Sequence, residues 1–432
     1  MARKIWIFVL ICLLARGAQA MDSRPCADPR IFPGAAVNAI VMPYRVDGPA
    51  PAPELRLASR QIAALVHLEV LTSMLKYGPV GATDLLAEAD GICDVDSVVA
   101  RLTQPGAPGA LRAGQALVMV WGRLFGQGEQ LYVQSFVRFF RQGERGPLPE
   151  LLNVAAGEGA ARLNLQASWP TQALAFAPRR ISRAELARVD QEFRQAMVLR
   201  ERPAADAPGR VIEFQPGRSF PYAVKARTGD WLQLAPMQAG QGGSSGWVKA
   251  RAGSDDAEAW SLQRWLPELA FVDAVNGMMR LRVGNLSEAE AAPMRVAVEQ
   301  GLAQYEQAVP VEQAPTAWGL GAVMRAQIAW TAGQRSDAAL RYARANVLLP
   351  AYAGARNLAA VTALADTVLD AASVARLQRQ LLAALALAPT DKLVLANLAQ
   401  LYQFYENKPG WTPLAPAELR EQMALVKAAQ AR

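Results

Sequence analysis

The sequence predicts a multidomain protein that combines a mixed α/β domain, a small β-barrel and an α-solenoid, in that order along the chain. The first part alternates β-branched apolar runs with long helical patterns. The middle part holds short alternating runs separated by glycine turns, and the last part carries alanine-rich helical repeats. The 432 residues, 52% hydrophobic and 19% charged, are sufficient for two or three packed domains.

The first twenty residues predict a secretory signal peptide, residues 1–20. Arg3 and Lys4 give the positive start, an apolar core runs from Ile5 to Ala15, and Ala18-Gln19-Ala20 supplies the small-x-small cleavage pattern. The apolar core is too short to span a bilayer comfortably, although a retained amino-terminal membrane anchor is the alternative. We therefore expect a periplasmic protein whose mature chain has no transmembrane span.

The net charge predicts no nucleic-acid partner. Loss of Arg3, Lys4 and Arg16 with the signal lowers the formal charge from +7 to about +4. A nucleic-acid-binding protein needs a concentrated basic patch, and this charge is small for the length of the chain.

The cysteine and histidine content predicts neither a metal site nor a cofactor. Cys26 and Cys93 remain after export, which permits a disulfide between them, and two isolated thiols are the alternative. The chain has a single histidine, His67, and no paired cysteines, so no metal-ligand cluster is evident.

The first domain is predicted over residues 36–200 and opens with a buried strand, AVNAIVMPYRV. A long helix is expected from Leu57 to Tyr77, and a short one around Asp94–Leu102. Two strands, Ala116–Phe125 and Gln130–Phe140, follow. A third helix is expected to begin near Ser182, where a serine followed three residues later by a glutamate forms a capping-box pattern. This order of elements predicts a mixed α/β domain.

This region resembles the amino-terminal TolB-like domains of bacterial envelope proteins. The resemblance is carried by a strand ending in VMPY, the long helix after it, and the stretch GQALVMVWGRLFGQGEQLYVQSFV. It covers about 110 residues. It implies an interaction domain without a phosphate-binding glycine loop, and the chain contains no Gly-x-x-x-x-Gly-Lys-Ser/Thr motif.

The second domain is predicted over residues 210–251, where AVKARTGDWLQL precedes GWVKA. Three short strands are expected around Tyr222–Ala226, Trp231–Leu234 and Gly246–Ala250. The stretch resembles bacterial SH3-like domains, which implies a small five-strand barrel that binds peptides or cell-wall material. Trp231 and Trp247 have two interpretations, as core residues of a thin barrel or as ligand contacts.

The third domain is predicted over residues 287–432 and is helical and repetitive. Ser287 and Glu290 fit a second capping box. GLGAVMRAQIAWTAGQRSDAALRYARANVLLPAY then resembles the tetratricopeptide repeat, with small residues, Gly333 and Pro350 at the family's offsets. Further copies are expected at about Leu358–Asp391 and from Lys392 onward. The alternative is an irregular helical bundle.

Two patterns that suggest catalysis are better explained otherwise. The loop GGSSG satisfies Gly-x-Ser-x-Gly around Ser244, but it leads into a strand, and no histidine follows it. Acids between Asp84 and Asp96 have the spacing of a paired-carboxylate site, and loop solvation with helix capping explains them more simply. We therefore expect no catalytic residues, and the protein is not predicted to be an enzyme.

The sequence predicts a non-catalytic, exported adaptor or scaffold that binds a protein or peptide partner in the bacterial envelope. Helical repeats offer a groove, and the SH3-like module adds a second surface. The alternative is a peptidoglycan-binding protein anchored by that module, and an enzyme with an unrecognised site is the third possibility. The candidate partner-binding residues are Trp231, Trp247, Trp318, Arg325, Asn397 and Gln400.

Overall fold

A computed structural model gives the fold of the chain in fifteen stretches. The structure describes residues 31–48, 53–74, 82–86, 95–107, 109–127, 130–144, 146–148, 151–157, 162–169, 173–211, 219–236, 245–249, 261–284, 286–365 and 367–431. The predicted signal peptide, Cys26, Cys93 and Ser244 lie outside these residues.

Fourteen strands lie in the described stretches. They are β1 (Val37–Val46), β2 (Ala82–Leu86), β3 (Ala116–Gln127), β4 (Gln130–Gly143), β5 (Gly146–Leu148), β6 (Leu151–Ala156), β7 (Leu163–Ser168), β8 (Leu174–Ala175), β9 (Arg179–Ile181), β10 (Val198–Arg200), β11 (Gly209–Val211), β12 (Ser219–Thr228), β13 (Trp231–Pro236) and β14 (Gly246–Lys249).

Twelve α-helices accompany them in the same stretches. They are α1 (Pro53–Met74), α2 (Val95–Thr103), α3 (Arg183–Ala196), α4 (Leu262–Trp265), α5 (Glu268–Val283), α6 (Glu288–Ala308), α7 (Pro315–Thr331), α8 (Arg335–Leu348), α9 (Ala353–Thr362), α10 (Ala371–Leu387), α11 (Lys392–Asn407) and α12 (Pro416–Gln430). The prediction of a mixed α/β region followed by a helical region is confirmed at this level.

The chain divides into two compact units that are interleaved in sequence. Unit 1 comprises residues 1–135, 142–146 and 178–259, and unit 2 comprises residues 136–141, 147–177 and 260–432. Residues 147–177 therefore belong with the helices, although they interrupt the sequence of unit 1.

The centre of unit 1 is a parallel arrangement around β1. This strand pairs in parallel with β2 on one side and with β3 on the other, and α1 packs against it. Most of β1 is buried, which is typical of a strand covered on both faces. Tyr44 lies where Gly122 leaves space for its ring, and the Tyr44 hydroxyl bonds the hydroxyl of Ser135 at 2.9 Å. The opening strand, the two later strands and the three helices predicted for this region match observed elements to within a few residues, whereas β2, β5, β8, β9 and β10 were not predicted.

The strands predicted for the second domain continue this same sheet. Ser219–Ala223 of β12 pairs with Leu86–Ala82 of β2 in antiparallel fashion, and β13 and β14 follow outward. The strand order is β11-β10-β14-β13-β12-β2-β1-β3-β4, so the described strands of residues 210–251 extend the sheet of the first region. The sequence analysis predicted these three strands but not β2, where Asp84 was expected in a loop or helix cap, and not the junction, which joins residues far apart in the chain.

Unit 2 is built mainly from consecutive helix pairs. Helices α5 and α6, α7 and α8, α9 and α10, and α11 and α12 pack against each other. Gly333 ends α7 at a φ of 78°, and the amide of Gln334 bonds the Ala329 carbonyl at 2.9 Å, as a glycine C-cap requires. The pair formed by α5 and α6 begins at Glu268, before the predicted start of the helical region at Ser287.

Unit 2 also contains a two-stranded antiparallel sheet that the sequence analysis did not predict. Strands β6 and β7 pair in register from Leu151–Ser168 to Ala156–Leu163. One face of this hairpin is fully buried, with Leu152, Val154, Leu163 and Leu165 all at most 4% exposed. Strand β7 packs against α9 and α11.

None of the helices in the described residues has the length and apolar character needed to cross a bilayer.

Candidate functional site: two surfaces

The helical unit holds a strand of its own chain through side-chain amides. Asn397 of α11 accepts the Gln166 N–H at 2.8 Å and donates to the Gln166 carbonyl at 2.6 Å. Asn357 of α9 donates to the same carbonyl at 3.0 Å, and Asn397 also donates to the Asn357 side-chain oxygen at 2.9 Å. Both asparagines are 1% exposed. Two helices therefore fix both backbone polar groups of one residue of β7.

The geometry of an antiparallel strand explains why amides suit this position. The N–H and C=O of one residue point to the same side of a strand, and successive residues alternate between the two sides. Gln166 directs both groups at Asn397, away from its partner Asn153 in β6. The asparagine side-chain amide has one donor group and one acceptor group, so it can make the two hydrogen bonds that a neighbouring strand would make.

A second contact follows three residues later in the sequence. The indole N–H of Trp169 donates to the side-chain oxygen of Gln327 in α7 at 3.2 Å, and the Tyr342 hydroxyl donates to the same oxygen at 2.9 Å. All three side chains are buried. Burial raises the pKa of Tyr342, so its phenol remains protonated and can donate this bond.

The third contact is aromatic. Phe176 packs edge-to-face on Phe271 of α5, with ring centroids 5.6 Å apart, and on Tyr305 of α6, at 5.8 Å. Phe271 and Tyr305 meet each other at 5.4 Å. Burial raises the pKa of Tyr305, with Glu268 and Glu306 adding to the effect.

These contacts define a segment-binding face, formed by Asn357, Asn397, Gln327, Phe271 and Tyr305. Its occupant, within the described residues, is the segment 163–169 together with 173–176 of the same chain. Trp169 is 4% exposed and Phe176 is 3% exposed. Burial of one such side chain stabilises a fold by roughly 1.5–3 kcal/mol. The occupant is therefore part of the hydrophobic core of unit 2, and this face is already filled.

Asn397 was predicted to contact a partner, but its side-chain amide is hydrogen-bonded to the Gln166 backbone of the same chain. Gln400, from the same helix, is exposed. Trp318 is half-buried, and its indole N–H donates to the Val309 carbonyl at the end of α6, at 3.0 Å.

Arg325, another predicted contact, ties α7 to α6. Its guanidinium lies 2.7 Å from Glu299 and also bonds Glu306, and its side chain is only 11% exposed. Burial alone would lower the pKa of the guanidinium. The hydrogen bond and charge of Glu306, reinforced by Glu299, raise that pKa instead, so Arg325 is held charged between two helices.

Trp231 and Trp247 lie on one face of the sheet in unit 1. Strands β13 and β14 place Trp231 opposite Lys249 and Gln233 opposite Trp247, and β10 places Arg200 opposite Trp247. Because side chains alternate between faces along a strand, all five residues share one face. We call this the tryptophan face.

The two tryptophans do not form the core of these strands. Leu232, Leu234 and Val248 are buried at 0–1% on the opposite face. Trp231 and Trp247 are half-buried, Gln233 and Arg200 are half-buried, and Lys249 is exposed. The tryptophan face therefore presents partly accessible indoles beside an amide and two cations.

The residues that the sequence analysis considered for metal binding or catalysis lie partly outside the described stretches. The described residues include no cluster of three or more histidine, cysteine, aspartate or glutamate side chains that could hold a metal ion. His67 lies within α1 and is 2% exposed. Asp84 lies in β2 and Asp96 in the first turn of α2, and Glu88, Asp90 and Asp94 lie outside the described residues.

No protein family, curated protein or solved structure matches this chain.

The sequence analysis did not identify the β6–β7 hairpin. It also did not single out three buried contact residues, Asn357, Gln327 and Trp169. A signal for the hairpin was present, since LNLQAS alternates in polarity and follows the apolar run LLNVAA after the glycine-containing stretch GEGAAR. The asparagines carried no such signal, because an isolated asparagine within a helix does not reveal what it contacts.

Proposed function

We propose that the protein is a non-catalytic, exported adaptor of the bacterial cell envelope that binds a protein partner through the tryptophan face. The single observation that carries the proposal is the placement of half-buried Trp231 and Trp247 on one face, beside Arg200 and Lys249. Tryptophan and arginine are enriched at the energetic centres of protein interfaces.

The filled segment-binding face supports this choice of surface. A partner that entered there would have to displace Trp169 and the apolar side of the hairpin, which are buried. The tryptophan face requires no such displacement. The export to the periplasm rests on the signal-peptide pattern in residues 1–20.

The test compares three variants of the full chain, each crosslinked in the envelope of its native cells at native abundance. Trp231→Ala and Trp247→Ala should each reduce recovery of a discrete partner at least about tenfold, as expected for a hot-spot side chain. Trp411→Ala is the matched control, since Trp411 is a half-buried tryptophan in the helical unit. Equal recovery in all three would contradict the proposal.

A peptidoglycan-binding function is the second candidate, and the chemistry of the same face favours it. Indoles present flat apolar surfaces with an N–H donor, while Arg200 and Lys249 suit the carboxylates of wall peptides. Sedimentation of the full chain with purified sacculi tests it. Loss of sedimentation in Trp247→Ala, with retention in Trp411→Ala, would favour the wall polymer over a protein partner.

A further inference from the structure

Strand β6 presents an edge that none of the described strands covers. The sheet that contains it has two strands, β6 and β7. The far edge of β7 is occupied by Asn397 and Asn357. In the described part of the chain, the far edge of β6 meets no strand.

The hydrogen bonds of Gln166 determine which groups this edge offers. Because Gln166 points its N–H and C=O away from β6, its pair with Asn153 is the non-hydrogen-bonded kind. Asn153 therefore points its own N–H and C=O away from β7. Leu151 and Ala155, two residues to either side, do the same, and all three residues are exposed.

The edge lacks the features that usually prevent strand pairing. Exposed edges are commonly protected by lysine, proline or a bulge. The six residues of β6, LLNVAA, contain no charge and no proline, their pairing with β7 is in continuous register, and Leu151 is 41% exposed.

We propose that a second copy of this chain pairs with the edge in antiparallel fashion, with Asn153 opposite Asn153 of the second copy. In this register Leu151 faces Ala155, and the outward N–H and C=O groups of both strands are satisfied reciprocally. A strand that pairs with itself around a two-fold axis places its central residue against the same residue, so a charge there would repel its copy. Position 153 is uncharged, which is the electrostatic condition for this pairing.

In this register the apolar sides of the two hairpins lie on the same face of the joined sheet. Leu152 faces Val154 across the new pair, and both are buried on the apolar side of the hairpin. Asn153, Asn164 and Gln166 lie on the other, more accessible side. A dimer would carry two tryptophan faces, which strengthens binding to a repetitive or dimeric partner by effective concentration. The pairing itself does not depend on the proposed function.

The first test is the mass of the full chain in solution by light scattering, measured across concentration. We expect a concentration-dependent dimer. Asn153→Pro removes an N–H that makes no bond to β7, so the hairpin ladder is kept while each copy loses a bond at the centre of the dimer. The dissociation constant should rise more than about tenfold. Asn164→Lys, on the same polar side but in β7, is the matched control and should leave the dimer unchanged.

The second test determines which residues face each other across the dimer. It does not require the proline variant to fold. Asn153→Lys and Asn153→Asp should each weaken the homodimer, because like charges then face each other. An equimolar mixture of the two should restore dimers, as heterodimers with opposite charges paired. A chain that is monomeric at its highest soluble concentration, a dimer insensitive to both charge variants, or a mixture no stronger than its components would each overturn the proposal.

Discussion

The side-chain amide of Asn397 bonds both the N–H and the C=O of Gln166, at 2.8 and 2.6 Å, across 231 residues of sequence. A helix thereby supplies the two hydrogen bonds that a neighbouring strand would otherwise supply. This contact joins the helical repeats to the hairpin inserted within the sequence of unit 1.

Asn397→Ala should destabilise the protein by about 2–4 kcal/mol, because it removes three hydrogen bonds and leaves a buried peptide N–H without its partner. The measurement is the urea unfolding midpoint. Gln400→Ala is the control, since Gln400 lies one turn along the same helix and is exposed. Its effect should stay within about 0.5 kcal/mol. Similar values for the two variants would show that the Gln166 contact contributes little.

Gly122→Ala should destabilise unit 1 by about 1–3 kcal/mol through overpacking. A Cβ at this position would lie 2.1 Å from the ring of Tyr44 and 2.8 Å from the carbonyl of Gln134. Gly126→Ala in the same strand is the control, because its Cβ would meet no described atom closer than 3.8 Å. Thermal unfolding distinguishes them, and equal melting temperatures would refute the steric explanation.

Arg325→Met should cost about 1–3 kcal/mol, since it leaves Glu306, whose side chain is 17% exposed, without its cation. Adding Glu306→Gln should recover part of this loss, so the double variant should be less destabilised than the sum of the single variants. Arg341→Met is the control, because its pair with Asp337 is exposed on both sides and contributes about 0–0.5 kcal/mol. Additive effects at Arg325 and Glu306 would exclude coupling between them.

Asp190 should contribute to the acid sensitivity of unit 1. The hydrogen bond from Arg194 is the main cause of its lowered pKa. Burial opposes this effect, while the hydrogen bond from Gln61 reinforces it. Because the folded pKa lies below the unfolded value, the stabilisation is fully present above about pH 4 and is lost as the pH falls through the folded pKa.

The measurement is the unfolding midpoint of the wild type and of Asp190→Asn between pH 7 and pH 2. The variant should lose less stability on acidification than the wild type. Arg194→Met, which removes the main cause of the lowered pKa, should also flatten the profile. Identical profiles for all three proteins would show that this carboxylate does not contribute.

Local sequence patterns were sufficient for many elements. The capping box at Ser182 is complete, the Glu290 carboxylate accepts from the Ser287 N–H, and Gly333 ends α7 with a positive φ. Such features depend on hydrogen bonds between residues within one or two turns of each other, so the local sequence is enough to predict them. The apolar content of α1 and β1 was equally informative, because both elements are buried over most of their length.

The functional surfaces were only partly predictable. Trp231 and Trp247 were identified as a candidate pair, but either a core role or a ligand role was compatible with the sequence. Their common face, opposite Leu232 and Val248, follows from the register of β13 and β14. The cation beside Trp247, Arg200, comes from β10, which the sequence analysis did not place in this sheet.

The sequence by itself determined the order of the α/β and helical regions, the approximate bounds of six strands and of the helices in the first region, and several helix caps. These follow from short-range periodicity and local hydrogen bonds. Only the tertiary structure decided that β7 and Phe176 pack against the helices of unit 2, that Asn397 bonds Gln166, and that β12 extends the first sheet through β2. Each of these pairs residues distant in sequence. Their energy depends on burial and geometry that no local pattern encodes.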